Sequence, residues 1–303
     1  MKNTLLRLYG KCNFRCKLCM AETFNENEKR PSLARLKEQI LQAERDGTQE
    51  LDIGGGEPTT YGPLLDVLRF AYDRKISCAL CTNGFRFSDP AYVEQFAGFK
   101  PLGIKISFHS HKKNVFDFTT GIPGSFENIM KAIANIRERL RAYPRSKKSY
   151  LLANIVVTRY NYRDLPAIVA FLRAQNVFVV KLSQLVLSGS VYAHPDLLIS
   201  PGKIQPYLEE AVAYLKRNRL SRYYIDKFPV CMLESEHRHF VPLNDTNNHV
   251  KLRTCASCAH DKKCCGLSKL ALMARYGRRL RDHRRLFPQG FFTERDTAFL
   301  NKL

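Results

Sequence analysis

Cys12-Asn13-Phe14-Arg15-Cys16-Lys17-Leu18-Cys19 sets three cysteines at C-x3-C-x2-C spacing directly after the apolar run Leu5 to Tyr9. A four-iron cubane held by three thiolates keeps one iron open, so this spacing suits chemistry at that iron. A structural zinc knot is the plainer alternative. Zinc sites usually close with a fourth Cys or His at similar short spacing, and none follows nearby.

Outward from this stretch, the chain to about Ser188 alternates short apolar runs with amphipathic stretches, the pattern of βαβ units and a parallel sheet. Six strands are expected: Leu5 to Tyr9, Glu50 to Ile53, Ser77 to Thr82, Gly103 to Phe108, Leu151 to Thr158 and Phe178 to Leu185. Helices are expected over Ser32 to Arg45, Pro63 to Asp73, Pro90 to Phe96, Ser125 to Arg141 and Tyr162 to Gln175. Ser suits an N-cap and Pro a first turn, which supports the starts at Ser32, Pro90 and Ser125. A sixth helix, Lys203 to Asn218, then covers the open edge. From Tyr223 the rhythm stops and Cys, His, Arg and Lys accumulate, which sets a boundary near residue 221 between a domain of residues 1–221 and one of residues 222–303.

The 303 residues, 45% hydrophobic, are ample for a large α/β domain with an appendage. No signal region and no run of 18 or more apolar residues is present, so a cytoplasmic protein without a membrane segment is expected. The ten cysteines fall into groups rather than a spread framework, which points to metal in a reducing compartment. A formal charge of +21 implies an anionic partner: a nucleotide, a phosphorylated metabolite, nucleic acid, an acidic peptide or an acidic electron donor.

Gly54-Gly55-Gly56-Glu57-Pro58-Thr59 follows the second strand, a turn where missing side chains admit a ligand to the backbone. The third strand ends in Thr82-Asn83-Gly84. Within it, Cys78 and Cys81 stand three apart, on opposite faces of a strand, and read as small apolar residues rather than a metal pair. Ser107 and His109 close the fourth strand; His109 either lines a cavity or is a solvated loop histidine. Asn154 lies among apolar neighbours in the fifth strand and needs hydrogen-bond partners there.

Taken together, the cysteine triplet and these strand ends resemble the radical S-adenosylmethionine (radical SAM) superfamily. The resemblance implies an incomplete (β/α)6 barrel, one [4Fe-4S] cluster on Cys12, Cys16 and Cys19, and SAM on its open iron. In parallel barrels the chemistry sits at the C-terminal strand ends, where the triplet also falls. Carried over residue by residue, Gly55, Gly56 and Glu57 match the element that receives the amino group of SAM, while Ser107 and Asn154 match polar residues facing its carboxylate and ribose. Backbone groups of Leu187-Ser188-Gly189 match the approach to adenine. The family usually places an aromatic residue before the third cysteine, against the adenine; this chain has Leu18 there.

Cys231, the pair Cys255 and Cys258, and Cys264 offer four thiolates, enough to saturate a cubane or a zinc ion. The pattern resembles the shortened SPASM module called twitch, which implies a second, auxiliary [4Fe-4S] cluster, with Cys264 a better ligand than Cys265. Between Lys251 and Gly290 stand eleven Lys or Arg against two Asp, a local net of +9. This is either a solvated basic face or, through Arg275, Arg278, Arg279 and Arg285, a seat for an anionic substrate. The expected activity is reductive cleavage of SAM by an electron from flavodoxin or ferredoxin, then hydrogen abstraction from a substrate held between the clusters. That substrate is a peptide precursor, a nucleotide or another phosphorylated metabolite, or RNA. A non-catalytic zinc protein that binds nucleic acid is the alternative from another class.

Overall fold

The computed structural model describes residues 2–8, 10–20, 29–99, 102–141, 149–219, 222–241, 248–262, 264–276, 291–300 and 302. Seven strands form one parallel sheet in chain order: β1 (Asn3–Arg7), β2 (Glu50–Gly54), β3 (Ser77–Thr82), β4 (Leu102–Ser107), β5 (Tyr150–Val157), β6 (Val179–Gln184) and β7 (Tyr223–Asp226). Each is joined to the next across a helical crossover, and the sheet curls into a half-barrel. The helices are α1 (Leu33–Arg45), α2 (Leu64–Asp73), α3 (Pro90–Glu94), α4 (Lys113–Thr120), α5 (Ser125–Arg141), α6 (Leu165–Ala174) and α7 (Pro201–Arg217). Local chemistry sets their starts. Ser32 accepts from Arg35 N as the cap of α1, and Asp89 accepts from Ala91 N with Pro90 in the first turn of α3.

Two expectations are amended. The βα rhythm continues past residue 221, because Tyr223 and Ile225 are buried in the alternation of a seventh strand paired to β6. Hence α7 is the crossover between β6 and β7 rather than a cover for an open edge. In addition, two helices follow β4 instead of one, since α4 ends at Gly121 and the chain restarts at Ser125.

Residues of alternate parity divide the sheet into two unlike faces. Leu51, Ile53, Leu80, Ile104, Ile106, Ala153, Ile155, Leu182 and Ile225 join residues of α1, α2, α5, α6 and α7 in the main core. The opposite, concave face is polar. Lys105 pairs there with Asp52 and, at 3.6 Å, with Glu50, whose carboxylate also accepts from Tyr150 OH at 3.3 Å. Farther round, Lys181 pairs with Asp226 at 2.8 Å, and Ser183 Oγ donates to Asn154 Oδ1 at 2.9 Å.

Beyond β7, β8 (His249–Val250) and β9 (Leu267–Ser268) form an antiparallel pair that brackets Cys255, Cys258 and Cys264. Gly266 closes this unit at φ +82°, and a Cβ there would stand 2.4 Å from Val250 O. Two more helices follow, α8 (Lys269–Tyr276) and α9 (Glu294–Leu300). Their apolar residues Leu270, Met273 and Phe299 share a smaller core with Leu18, Val156, Leu185, Leu187, Val191 and Leu197.

Candidate cluster and cofactor site

The Cys12–Cys19 loop follows β1 at the C-terminal edge of the sheet, and four later segments hold it, three through backbone and one through side chains. After β2, Glu57 N donates to Lys11 O at 2.9 Å. Gly56 is packed so closely there that a Cβ would lie 2.0 Å from Lys11 O and 2.5 Å from Gly10 O. After β3, Asn83 Nδ2 donates to Asn13 Oδ1 at 2.8 Å and reaches Cys12 Sγ at 3.8 Å. At the end of α4, Arg15 N and Lys17 N donate to Thr120 O and Thr119 O, carbonyls a helix terminus leaves without an intrahelical partner. After β6, Ser190 N donates to Cys19 O at 3.0 Å and Ser188 Oγ to Met20 O at 2.9 Å.

The three thiols lie in one another's electrostatic field. Burial pushes the Cys12 thiol up to about 11, against the hydrogen bond from Phe14 N, with the charges of Glu57 and Cys19 adding to the rise. Burial also holds Cys16 well above the ordinary thiol range, with Cys12 and Cys19 next in effect. Burial thus sets the Cys12 and Cys16 thiols against ionisation, and a bound iron centre would reverse this because it binds the thiolates. Among the described residues, no three Cys, His, Asp or Glu side chains gather about the point a single ion would fill. A cubane places its thiolates on three separate irons, and a single clamped loop carrying three thiols fits that demand.

Glu57 is 1% exposed. Its Oε1 accepts from Thr59 N, Thr59 Oγ1 and Thr82 Oγ1, and its Oε2 accepts from Asn83 N at 2.7 Å. Burial raises its pKa and those donors oppose the rise. The carboxylate thus knots the ends of β2 and β3 together beneath the cysteine loop. Gly55 and Gly56 present backbone above that knot. Ser107 and Asn154 sit side by side in the β4–β5 register, both half-buried on the concave face. Leu18, expected beside an adenine, has its side chain in the smaller core. His109 is not a solvated loop histidine: it is 2% exposed, its Nδ1 accepts from Val156 N at 3.3 Å, and burial lowers its pKa to about 4. Cys78 is buried in the main core and Cys81 faces the concave side, as opposite strand faces require.

Near the end of β7 lies the second cysteine group. Burial raises Cys231, and its thiol also feels the charges of Cys264, Cys255 and Cys258. Cys264 Sγ accepts from Val230 N at 3.3 Å and Gly266 N at 3.4 Å, whereas Cys265 Sγ stands 3.3 Å from Phe228 O and 3.4 Å from Gly266 O. A hydrogen bond from Cys265 lowers the Cys264 pKa and raises its own. The donors about Cys264 favour its ionised form over that of Cys265. Arg278, Arg279 and Arg285 lie outside the described residues, as does the side chain of Arg275.

Sequence reasoning missed Thr119, Thr120 and Ser190, which act through backbone atoms and leave no side-chain signature. It also passed over Lys105, Asp52, Lys181 and Asp226, although charged residues at alternate positions of apolar strands were a signal that one sheet face is polar.

A family model described as the radical SAM superfamily matches residues 6–172. The chain is 26% identical over 226 residues to the probable GTP 3',8-cyclase of Sulfurisphaera tokodaii, covering 72% of this chain and 68% of that protein. It is also 26% identical over 178 residues to the mycofactocin maturase MftC of Mycolicibacterium smegmatis, covering 59% of this chain and 43% of the maturase. In three dimensions it resembles native anSMEcpe with bound AdoMet, with TM-score 0.64 and 10% identity over 99% of this chain and 96% of the other. Streptococcus suis SuiB is similar at TM-score 0.60 and 16% identity, over 74% of this chain and 49% of SuiB.

Proposed function

The chain belongs to the radical SAM superfamily, an enzyme family that binds a [4Fe-4S] cluster and SAM, and from that premise we propose which residues hold the groups and what they act on. Cys12, Cys16 and Cys19 hold the first cluster. With SAM bound, a reduced cluster there would supply the electron for reductive cleavage of SAM to methionine and the 5'-deoxyadenosyl radical, whose chemistry is hydrogen abstraction from a substrate. The observation that carries this reading is the fourfold clamp on the cysteine loop, which fixes three thiols and leaves the Gly55–Gly56 backbone beside them.

The other residues position and exclude. Gly55 and Gly56 offer backbone to the amino group of SAM, and Glu57 fixes that turn from below with its carboxylate engaged by four donors. Ser107 and Asn154 face the carboxylate and ribose, and Leu18 holds its end of the loop in the smaller core so that the adenine wall stays in register. Cys231, Cys255, Cys258 and Cys264 hold an auxiliary [4Fe-4S] cluster in a C-terminal twitch-like unit that begins after β7. A flavodoxin or ferredoxin supplies the electron.

The substrate sits between the clusters, over a concave face lined with charges of both signs. That lining supports a polar substrate, either a peptide precursor or an anionic metabolite; the relatives named above include a GTP cyclase and a maturase. Anaerobic reconstitution with iron and sulfide, followed by SAM and dithionite, tests the core of this reading. Formation of 5'-deoxyadenosine is expected, with loss on replacing Cys12, Cys16 and Cys19 by Ala. Zinc as the bound metal, with no 5'-deoxyadenosine, would sink it.

A further inference from the structure

The C-terminal helix α9 reaches the cofactor loop through a buried carboxylate. Asp296 is 0% exposed. Its Oδ1 accepts from Tyr192 OH at 2.7 Å; its Oδ2 accepts from Lys269 Nζ at 2.8 Å, Thr293 N at 2.7 Å and Thr293 Oγ1 at 2.9 Å. The carboxylate therefore joins three segments: α8 through Lys269, the start of α9 through Thr293, and the loop after β6 through Tyr192. The same loop is gripped twice more from α9. Phe299 meets the Tyr192 ring edge-on at 5.9 Å, and the Arg295 guanidinium lies 4.3 Å from the centroid of that ring while donating to Gly189 O at 3.4 Å.

This loop is the one that holds the third cysteine. Its Ser190 N and Ser188 Oγ bind the carbonyls of Cys19 and Met20. A second observation leads to the same place. Leu18, between the second and third cysteines, shares the smaller core with Val191 of that loop and with Leu270, Met273, Phe291 and Phe299 of the C-terminal segment. Helix α9 has seven residues, too short to persist without tertiary contacts. A fully buried ion pair is costly to break from one side, so the contacts that order α9 also fix the loop in one place.

We propose that Asp296 and Tyr192 are positioning residues for SAM: they hold the loop of residues 188–194 across the end of the cysteine loop. The affinity for SAM depends on them, while assembly of the clusters does not. The inference rests on the reading that SAM occupies the open face of the Cys12–Cys19 cluster. It extends that reading by making the C-terminal segment part of the cofactor site.

The test uses the full chain reconstituted anaerobically, as the unaltered protein, Tyr192→Phe and Asp296→Asn. Tyr192→Phe keeps the ring packing and removes one hydroxyl, so it survives if Asp296→Asn fails to fold. Iron content, thermal midpoint and the SAM-induced change in the electron paramagnetic resonance signal of the reduced N-terminal cluster are measured for each. A hydrogen bond to a charged group supports an expected weakening of SAM binding of about tenfold in Tyr192→Phe, with iron content unchanged and the midpoint lowered by a few degrees. Unaltered SAM affinity in Tyr192→Phe would overturn the assignment, as would a loss of cluster iron that parallels the loss of binding. If the unaltered protein binds iron at the triplet but its signal ignores SAM, the proposed function fails, and this inference with it.

Discussion

Glu57 shows how a residue can be legible while its task is not. The Gly-Gly-Glu run marks a strand end where backbone is approached closely, and the structure names the approaching backbone as Gly10 and Lys11. The carboxylate itself is consumed by Thr59, Thr82 and Asn83, partners the spacing of the motif does not reveal. Glu57→Gln replaces an acceptor with an amide that must turn a donor toward one of these donors. A loss of about 1–3 kcal/mol in unfolding free energy is expected, read by urea denaturation, together with weaker SAM binding. Gly56→Ala acts differently, since a methyl cannot share space with Lys11 O 2.0 Å away. The turn must part from the cysteine loop. Iron analysis should show the cluster proposed on Cys12, Cys16 and Cys19 lost and the proposed C-terminal iron kept; retention of both would refute the close approach.

At the scale of elements, the strands from β2 to β6 were legible because period-two burial on an apolar face leaves a pattern in sequence. The strand β7 was not, because its four residues, Tyr223 to Asp226, are too few to display a period and lack the helix that would follow in a repeating unit. Helix α4 was hidden for a related reason: Phe116, Thr119 and Thr120 carry its buried face within eight residues. The cysteine unit after β7 was legible by composition, and the preference for Cys264 over Cys265 that the family pattern implied has a geometric argument beside it. Two backbone N–H groups point at Cys264 Sγ, whereas Cys265 Sγ stands against the carbonyl oxygens of Phe228 and Gly266. Cys264→Ser should therefore abolish the proposed C-terminal iron while Cys265→Ser keeps it. Equal loss in both variants, measured as iron per chain beside a Cys12→Ala background, would overturn the assignment.

For the whole molecule, the parity of one sheet separates an apolar convex core from a polar concave face, and the groups at that divide tie global stability to pH. His109 lies just past the end of β4, 2% exposed, with Nδ1 accepting from Val156 N. A ring nitrogen that accepts cannot also hold a proton there, and burial lowers the folded pKa to about 4 from the ordinary 6.5. Below pH 6.5 the unfolded chain takes up a proton that the folded chain refuses until pH falls to about 4, so unfolding gains ground as acid is added. Stability should fall by about 1.4 kcal/mol per pH unit from this group, or roughly 3 kcal/mol across the window. Above pH 6.5 both states hold a neutral ring and the contribution is flat. His109→Gln removes the titration while keeping a side chain able to accept from Val156 N. Urea unfolding of the two metal-free, reduced chains between pH 7.5 and 4.5 should show the stability of the unaltered chain dropping toward that of the variant as pH falls. Parallel curves would mean that His109 is protonated in the folded state, and that the end of β4 is open to water where the structure closes it.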